Sequence, residues 1–290
     1  KSKEKTTPSR REFVGDVEAA RLLSAIPADE MTDAVVHVWW AWSDEWLRPV
    51  RADGATGMIS LNHDVTHDFF KWKDWCPRFT IENCRSALDA PGEWFLDRKR
   101  SELLYLPRKG ETPEQTVAIA PKLERIIRVR KGAKDVSFQG ITFAHNAWKF
   151  GEWAYPHQSA LYGVDAAIEV TDAERVSFAN CRVEHTADYG LWFGEGVADS
   201  SVRHTWFEDL GAGGVRIGAR QWNVKIPPSK VARRITIDDN VVFSGGHVFP
   251  SGTGVFITYA TDCRVTHNEI CDLYYSGISC GWRWGFDPTP

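Results

Sequence analysis

Positive charge is in short supply in this 290-residue sequence. Its 35 Lys and Arg stand against 39 Asp and Glu, a formal net charge of −4. A nucleic-acid partner therefore has no electrostatic support, because phosphate backbones are held by basic surfaces. No apolar run reaches the ~20 residues that span a bilayer, so no membrane partner is expected. Low-complexity segments are absent. None of the six cysteines, Cys76, Cys84, Cys181, Cys263, Cys271 and Cys280, belongs to a C-x-x-C pair, which removes the usual zinc signature. The histidines show no H-E-x-x-H spacing, and no Gly-rich loop leads from a strand into a helix. No metal, nucleotide or other cofactor is expected. The opening residues Lys1 to Lys5 carry no apolar stretch of signal-peptide type.

Tryptophan, by contrast, is abundant, with 14 in the chain. Trp39, Trp40, Trp42, Trp46, Trp72, Trp75, Trp192, Trp282 and Trp284 gather around turns and strand ends. Two readings stand beside each other. The rings pack a core, or they present flat faces to the apolar C–H faces of sugars.

Residues 1–122 read as an α+β region without a period. Val17–Ile26 is a short amphipathic helix ended by Pro27, and Val35–Trp42 is a strand rich in β-branched and aromatic residues. Thr80–Leu88 has helical spacing before the breaker Ala90-Pro91-Gly92. Glu93–Leu96 and Leu103–Leu106 flank a hairpin turn, and Thr116–Ala120 reads as another short strand.

Residues 123–290 are almost all short strands, and they repeat. A glycine recurs just before an apolar run in Tyr189-Gly190-Leu191, Gly213-Gly214-Val215, Thr253-Gly254-Val255 and Ser276-Gly277-Ile278. The period is ~23–24 residues, or ~40 where an insertion enlarges the repeat, which signals stacked units. Strand side chains alternate, so Ile168, Leu191, Val215, Val255 and Ile278 point inward, with Val170, Phe193, Ile217, Ile257 and Cys280. Cys280 then reads as a packed thiol. The outward set is Glu169, Trp192, Arg216, Phe256 and Ser279, followed by Thr171, Gly194, Gly218, Thr258 and Gly281, a row small enough to form a floor for an extended ligand. A leucine-rich repeat would be Leu-dominated with one strand per unit. This array has at least two apolar runs per unit, rich in Val, Ile and Phe. The expected fold is an all-β solenoid, a right-handed parallel β-helix, with the α+β region before it. No capping repeat closes the C-terminal end, so the stack is expected to continue beyond this segment.

Long phrases carry a family resemblance: Ala87–Tyr105 (ALDAPGEWFLDRKRSELLY), Gly190–Gly196, Asp209–Gly218 (DLGAGGVRIG) and Asn268–Gly285 (NEICDLYYSGISCGWRWG). Over residues 30–285 the sequence resembles right-handed β-helix glycoside hydrolases, especially family 141 of that class, which holds α-L-fucosidase and xylanase activities on plant polysaccharides. The resemblance implies a secreted or periplasmic enzyme with a polysaccharide or oligosaccharide substrate.

Glycoside hydrolysis usually needs two carboxyl groups, one to donate a proton and one to act as nucleophile or base. Aligning the repeats on Phe143, Val183, Phe207, Phe243 and Ile270 puts His145, His185, Asp209, Gly245 and Asp272 in one column. Asp209 and Asp272 then lie two coils apart, ~9.6 Å at the strand spacing, near the inverting range of ~6.5–9.5 Å. Gly245 leaves a gap between them, and His185 could orient Asp209. The other reading makes both Asp residues turn formers that bind backbone amides. Glu195 ends a strand between glycines and is either a third catalytic or hydroxyl-binding carboxylate or a solvated rim charge. Arg216 could bind a carboxylate or hydroxyls, or stack at the surface. Trp192, Tyr259, Trp282 and Trp284 are candidate sugar platforms, and His247 and Tyr275 flank the gap. A polysaccharide lyase would need a Lys or Arg base, and a non-catalytic glycan-binding β-helix would show platforms without a carboxylate pair.

Overall fold

A computed structural model describes residues 10–69, 77–160, 163–220 and 226–281. The chain divides into two compact units, Lys1–Ala118 with Phe150–Tyr155, and Ile119–Lys149 with Pro156–Pro290.

In the first unit, Asp16 caps the helix Val17–Ala25 by accepting from the backbone N–H groups of Glu18 and Ala19. Ala20 and Leu23 on its inner face are buried. Val35–Trp39 is the expected strand, and it pairs antiparallel with Asp44–Leu47 on one side and Arg78–Glu82 on the other. The helix expected over 80–88 is therefore a strand followed by a single tight turn at Arg85–Ala87. Phe79 and Ile81 alternate with exposed neighbours, and pairing with the 35–39 strand selects that period of two. The hairpin forms between Trp94–Asp97 and Glu102–Tyr105. No strand forms over 116–120, where Val117 and Ile119 lie exposed without a pairing partner among the described residues. Trp153–Ala154, from within the repeat region, adds to the edge of this unit's sheet against Asp44–Leu47.

The second unit is a stack of coils, each contributing strands to three parallel sheets. The first sheet holds Ile127–Val129, Ala166–Val170, Tyr189–Phe193, Val215–Ile217, Val255–Ile257 and Ile278–Cys280. The second holds Lys134–Gln139, Glu174–Ala179, Ser201–Arg203, Thr236–Asp238 and Arg264–Thr266, and the third Thr142–Ala144, Arg182–Thr186, Trp206–Leu210, Val241–Gly245 and Glu269–Leu273. Each apolar run of the sequence thus splits into two strands at a two-residue corner, whose first residue is Gly140, Asn180, His204, Asp239 or His267, all with positive φ. Behind this corner runs a polar ladder. The Thr205 amide donates to Asn240 Oδ1 at 2.9 Å, and Asn240 Nδ2 donates to Asn268 Oδ1 at 2.8 Å. Corner amides turned toward the core find side-chain acceptors this way.

Inside, the two rows of the first sheet pack as their alternation requires. Ile168, Leu191, Val215, Val255, Val170, Phe193 and Ile217 are all fully buried, together with Phe178, Val183, Phe207, Val242 and Ile237 from the other sheets. Ile278 and Cys280 keep the inward register, paired with Val255 and Ile257. Both are nevertheless exposed, because no described strand stacks on theirs. Cys280 is thus inward in register but uncovered among the described residues.

Close approach explains the recurring glycine. Gly190, Gly214, Gly254 and Gly277 share one column, since Leu191, Val215, Val255 and Ile278 pair in register. A Cβ on Gly190 would lie 2.8 Å from the Phe207 ring, and one on Gly214 would lie 2.7 Å from Val242. On Gly254 it would meet Ile270 at 2.5 Å. The side chains of the third sheet fill the space that these Cβ atoms would need. Removing that filling is costly in turn. Phe207→Ala is expected to destabilise the protein by about 3–5 kcal/mol, read as a lower urea midpoint at unchanged slope.

Candidate functional site

The third sheet carries a column in the left-handed backbone conformation. His145, His185, Asp209, Ser244 and Asp272 have φ of 64, 52, 50, 55 and 52°. The pairing skips these residues, running Glu184↔Glu208↔Phe243 and then Thr186↔Leu210↔Gly245. Each strand bends outward there, which presents two consecutive side chains to solvent. Short polar residues tolerate this conformation best, which accounts for their presence in the column. Ser244, not Gly245, is the column's member between Asp209 and Asp272. In the run Val241-Val242-Phe243 it is Val242 that faces inward, paired with Phe207 and Ile270. Phe243 lies outside, edge-on to Trp206 at 5.4 Å. Gly245 is buried, so the expected gap is absent.

Side chains gather around Asp209. His185 Nδ1 lies 2.6 Å from Asp209 Oδ2, and the His185 ring stacks on His145 at 4.8 Å and 7°. From the other side, His247 Nε2 comes within 3.7 Å of Asp209 Oδ1 and 3.0 Å of Ser244 Oγ. Ser244 and Asp209 meet the same His247 nitrogen, so this is not a relay in which base and orienting acid use opposite ring nitrogens. Tyr274 closes the far side, edge-on to His247 at 6.1 Å. Ser244 and Tyr274 are members of the cluster that the sequence alignment misses. The alternation from Asp272 would have indicated Tyr274, two residues on. Asp272 is exposed in the same column, two coils from Asp209.

Other candidates lie elsewhere. Trp192 and Arg216 point away from the core, yet both are fully buried. Residues on either side of 161–162 lie over this face: the Ser159 carbonyl accepts from Tyr189 Oη at 2.7 Å, and the Val164 carbonyl meets Arg216. Arg216 donates to the carbonyls of Val164, Ala219 and Arg220 at 3.0, 3.2 and 2.8 Å. Its guanidinium sits 4.7 Å from the Trp192 ring, and burial lowers its pKa to about 10. Trp192 Nε1 donates to the Gly218 carbonyl at 2.9 Å, and Arg220 lies 4.4 Å from its ring. Neither residue is open to a sugar, contrary to expectation, because backbone carbonyls surround Arg216 and two guanidinium groups lie against the Trp192 ring. The small-residue row is no open floor either, since Thr258 is buried and bonded to the carbonyls of Ile217 and Ala219. Tyr259 is buried against Ala219, Ile226 and Val231, which removes it as a platform. Tyr275 is half-buried, its hydroxyl accepting from Gln158 Nε2 at 2.6 Å. Glu195 is half-buried, with Oε1 accepting from the Arg220 amide at 2.8 Å, so it fixes a loop. Trp282 and Trp284 lie outside the described residues. In the first unit, Trp40 and Trp46 are buried. Trp40 and Trp153 each donate an indole N–H to the buried carboxylate of Glu45, at 3.2 and 2.6 Å. Among the described residues no group of three or more His, Cys, Asp or Glu is arranged to hold a metal ion.

A family profile described as a right-handed beta helix region matches residues 125–270. The chain belongs to the right-handed β-helix family. A search of curated proteins finds no match. A solved structure named "Glycoside hydrolase" shares this β-helix architecture at 22% identity and a TM-score of 0.77. The match covers 95% of this chain and 57% of that one, so the chain spans just over half the length of the protein that it resembles.

One ionisable group inside the β-helix is unusual. Asp188 is buried, and burial pushes its carboxyl up to about 7, against the partial relief of an Asn146 Nδ2 bond at 2.8 Å. Folding therefore favours the protonated form. Its contribution is fully favourable below the unfolded value near 4 and is lost as pH rises to about 7. Raising a carboxyl pKa by one is worth ~1.4 kcal/mol. Asp188→Asn should flatten the fall in stability between pH 4 and 8 and raise the urea midpoint at pH 8, on the order of 1 kcal/mol or more. An unchanged pH slope would show that Asp188 titrates normally.

Proposed function

We propose that this β-helix is a glycoside hydrolase acting on a polysaccharide of plant type, with Asp209 and Asp272 as its carboxyl pair. The observation that carries the reading is the exposed cluster on Asp209. His185 Nδ1 at 2.6 Å holds the Asp209 carboxyl in place for the role of base or nucleophile. Asp272 would then give its proton to the leaving oxygen while the anomeric C–O bond breaks. Two coils of strand spacing separate the backbones by ~9.6 Å, which leaves room for a water between the carboxylate and the anomeric carbon and favours inversion. Ser244, His247 and Tyr274 supply hydroxyl and ring contacts around that space. The fold likeness to a glycoside hydrolase agrees with this choice of chemistry. Because a polymer substrate does not cross a membrane, we place the protein outside the cytoplasm, secreted or periplasmic.

The test is incubation of the full chain with a panel of plant polysaccharides. New reducing ends without unsaturated products are expected. Unsaturated ends would replace the reading with a lyase, and binding without any product would replace it with a glycan-binding protein.

A further inference from the structure

Four arginines surround a recess beside the first sheet of the β-helix. Arg125, Arg128, Arg130 and Arg220 line a cavity of about 240 Å³ with Glu169, Thr171 and Val129. Arg128 and Arg130 alternate with the inward residues Ile127 and Val129, so both side chains leave the same face. Three carboxylates partly balance this charge, one of them Glu124, 3.9 Å from Arg125 and 3.0 Å from Lys149. Asp165 bridges Arg125 and Arg220, and Glu169 lies 2.9 Å from Arg125 Nε, 3.4 Å from Arg128 Nε and 3.4 Å from an Arg220 nitrogen. Four guanidinium groups against three carboxylates, of which Glu124 is shared with Lys149, leave a surplus of positive charge in a chain that is acidic overall. Arg130 makes no ion pair among the described residues. The Arg125 Nε and Glu169 Oε2 atoms are close but misaligned, so each is buried without a hydrogen-bond partner among the described residues. Buried polar atoms normally find partners. A recess with unused donors, surplus charge and forked guanidinium groups suits a planar or tetrahedral oxyanion.

We propose that this recess binds the anionic substituent, a carboxylate or sulfate group, of an acidic sugar chain. The inference rests on the reading of the protein as carbohydrate-active and adds the substrate class. Arg128 and Arg130 would contact the anion directly, with Thr171 beside them. Arg125 and Glu169, each about 15% exposed at the side chain, would form the base of the recess.

The experiment is calorimetric binding to the full chain, with four probes: an oligouronate, a sulfated oligosaccharide, a neutral oligosaccharide of the same length, and inorganic sulfate. The acidic oligosaccharides should bind at least tenfold more tightly than the neutral one and lose affinity as salt rises. Whichever acidic probe binds more tightly identifies the substituent. Arg130→Gln should weaken acidic binding roughly tenfold, and the Arg128→Gln, Arg130→Gln double variant more, with neutral binding unchanged. Both residues are exposed, so the fold should survive, and Lys109→Gln serves as an equal change of charge elsewhere. Equal binding of acidic and neutral probes overturns the proposal. So does an equal loss in the Lys109→Gln control, or binding of inorganic sulfate alone. The hydrolase reading fails separately: cleavage of a neutral polysaccharide does not need the recess, and acidic binding at the recess does not need a bond to be cut.

Discussion

Asp209→Asn is expected to slow the release of reducing ends by about 10²–10⁴-fold, the usual worth of a positioned acid or base, and Asp272→Asn by a similar factor. Asparagine keeps the size and hydrogen-bonding shape of the side chain but cannot hold or exchange the proton. Backbone strain does not confuse the result. Both side chains reach solvent and both backbones are left-handed, a conformation that Asn adopts as readily as Asp. The thermal midpoint of either variant should therefore stay within about 2 °C of the parent, in keeping with a surface change of about 0.5 kcal/mol or less. Loss of activity at constant stability assigns chemistry to the pair. Full activity in both variants would return the two residues to their structural part, as polar side chains that suit a bent strand.

The second large effect is on the fold. Gly213→Ala should destabilise by ~3 kcal/mol or more, or prevent folding. The new Cβ would overlap the Thr253 carbonyl oxygen and lie 2.6 Å from its carbon, both backbone atoms of the adjacent coil. The coils cannot part to make room, since the Gly190 amide donates to the Gly213 carbonyl at 2.9 Å and the Gly214 amide to the Gly254 carbonyl at 3.1 Å. Ordinary overpacking costs ~1–3 kcal/mol because side chains can shift, and here no side chain is available to shift. Gly277→Ala is the internal control. It sits in the neighbouring glycine column, yet among the described residues its Cβ would meet only Ile270 at 3.6 Å. The prediction fails if the two variants show the same urea midpoint.

Much of the second unit is legible in the sequence because a repeat multiplies a weak signal. One strand such as Val215–Ile217 is too short to assign alone, but five aligned copies show the same alternation. The α+β unit has no such redundancy. There Thr80–Leu88 reads as a helix although its first residues belong to the strand Arg78–Glu82, since a few apolar residues in a short window satisfy either period. The column alignment slips where several apolar residues adjoin. Val241-Val242-Phe243 offers more than one candidate for the inward position, and a slip of one residue moves Ser244 out of the column and puts Gly245 in. Trp192 and Arg216 depart from expectation for a different reason. Alternation gives the side of a sheet, not what lies over it.

By itself the sequence determined the β-helix and the inward rows of its first sheet, as well as the glycine column and the place of Asp209 and Asp272 two coils apart. These follow from local alternation and a fixed period, which every copy of the repeat restates. Only the tertiary structure decided which outward residues meet solvent. It set Ser159 and Val164 over the outward face of the first sheet and brought His185 and His247 to Asp209. It also drew Arg125, Arg128, Arg130 and Arg220 into one recess. Those contacts join residues far apart in the chain through irregular segments, and irregular segments have no period from which to read them.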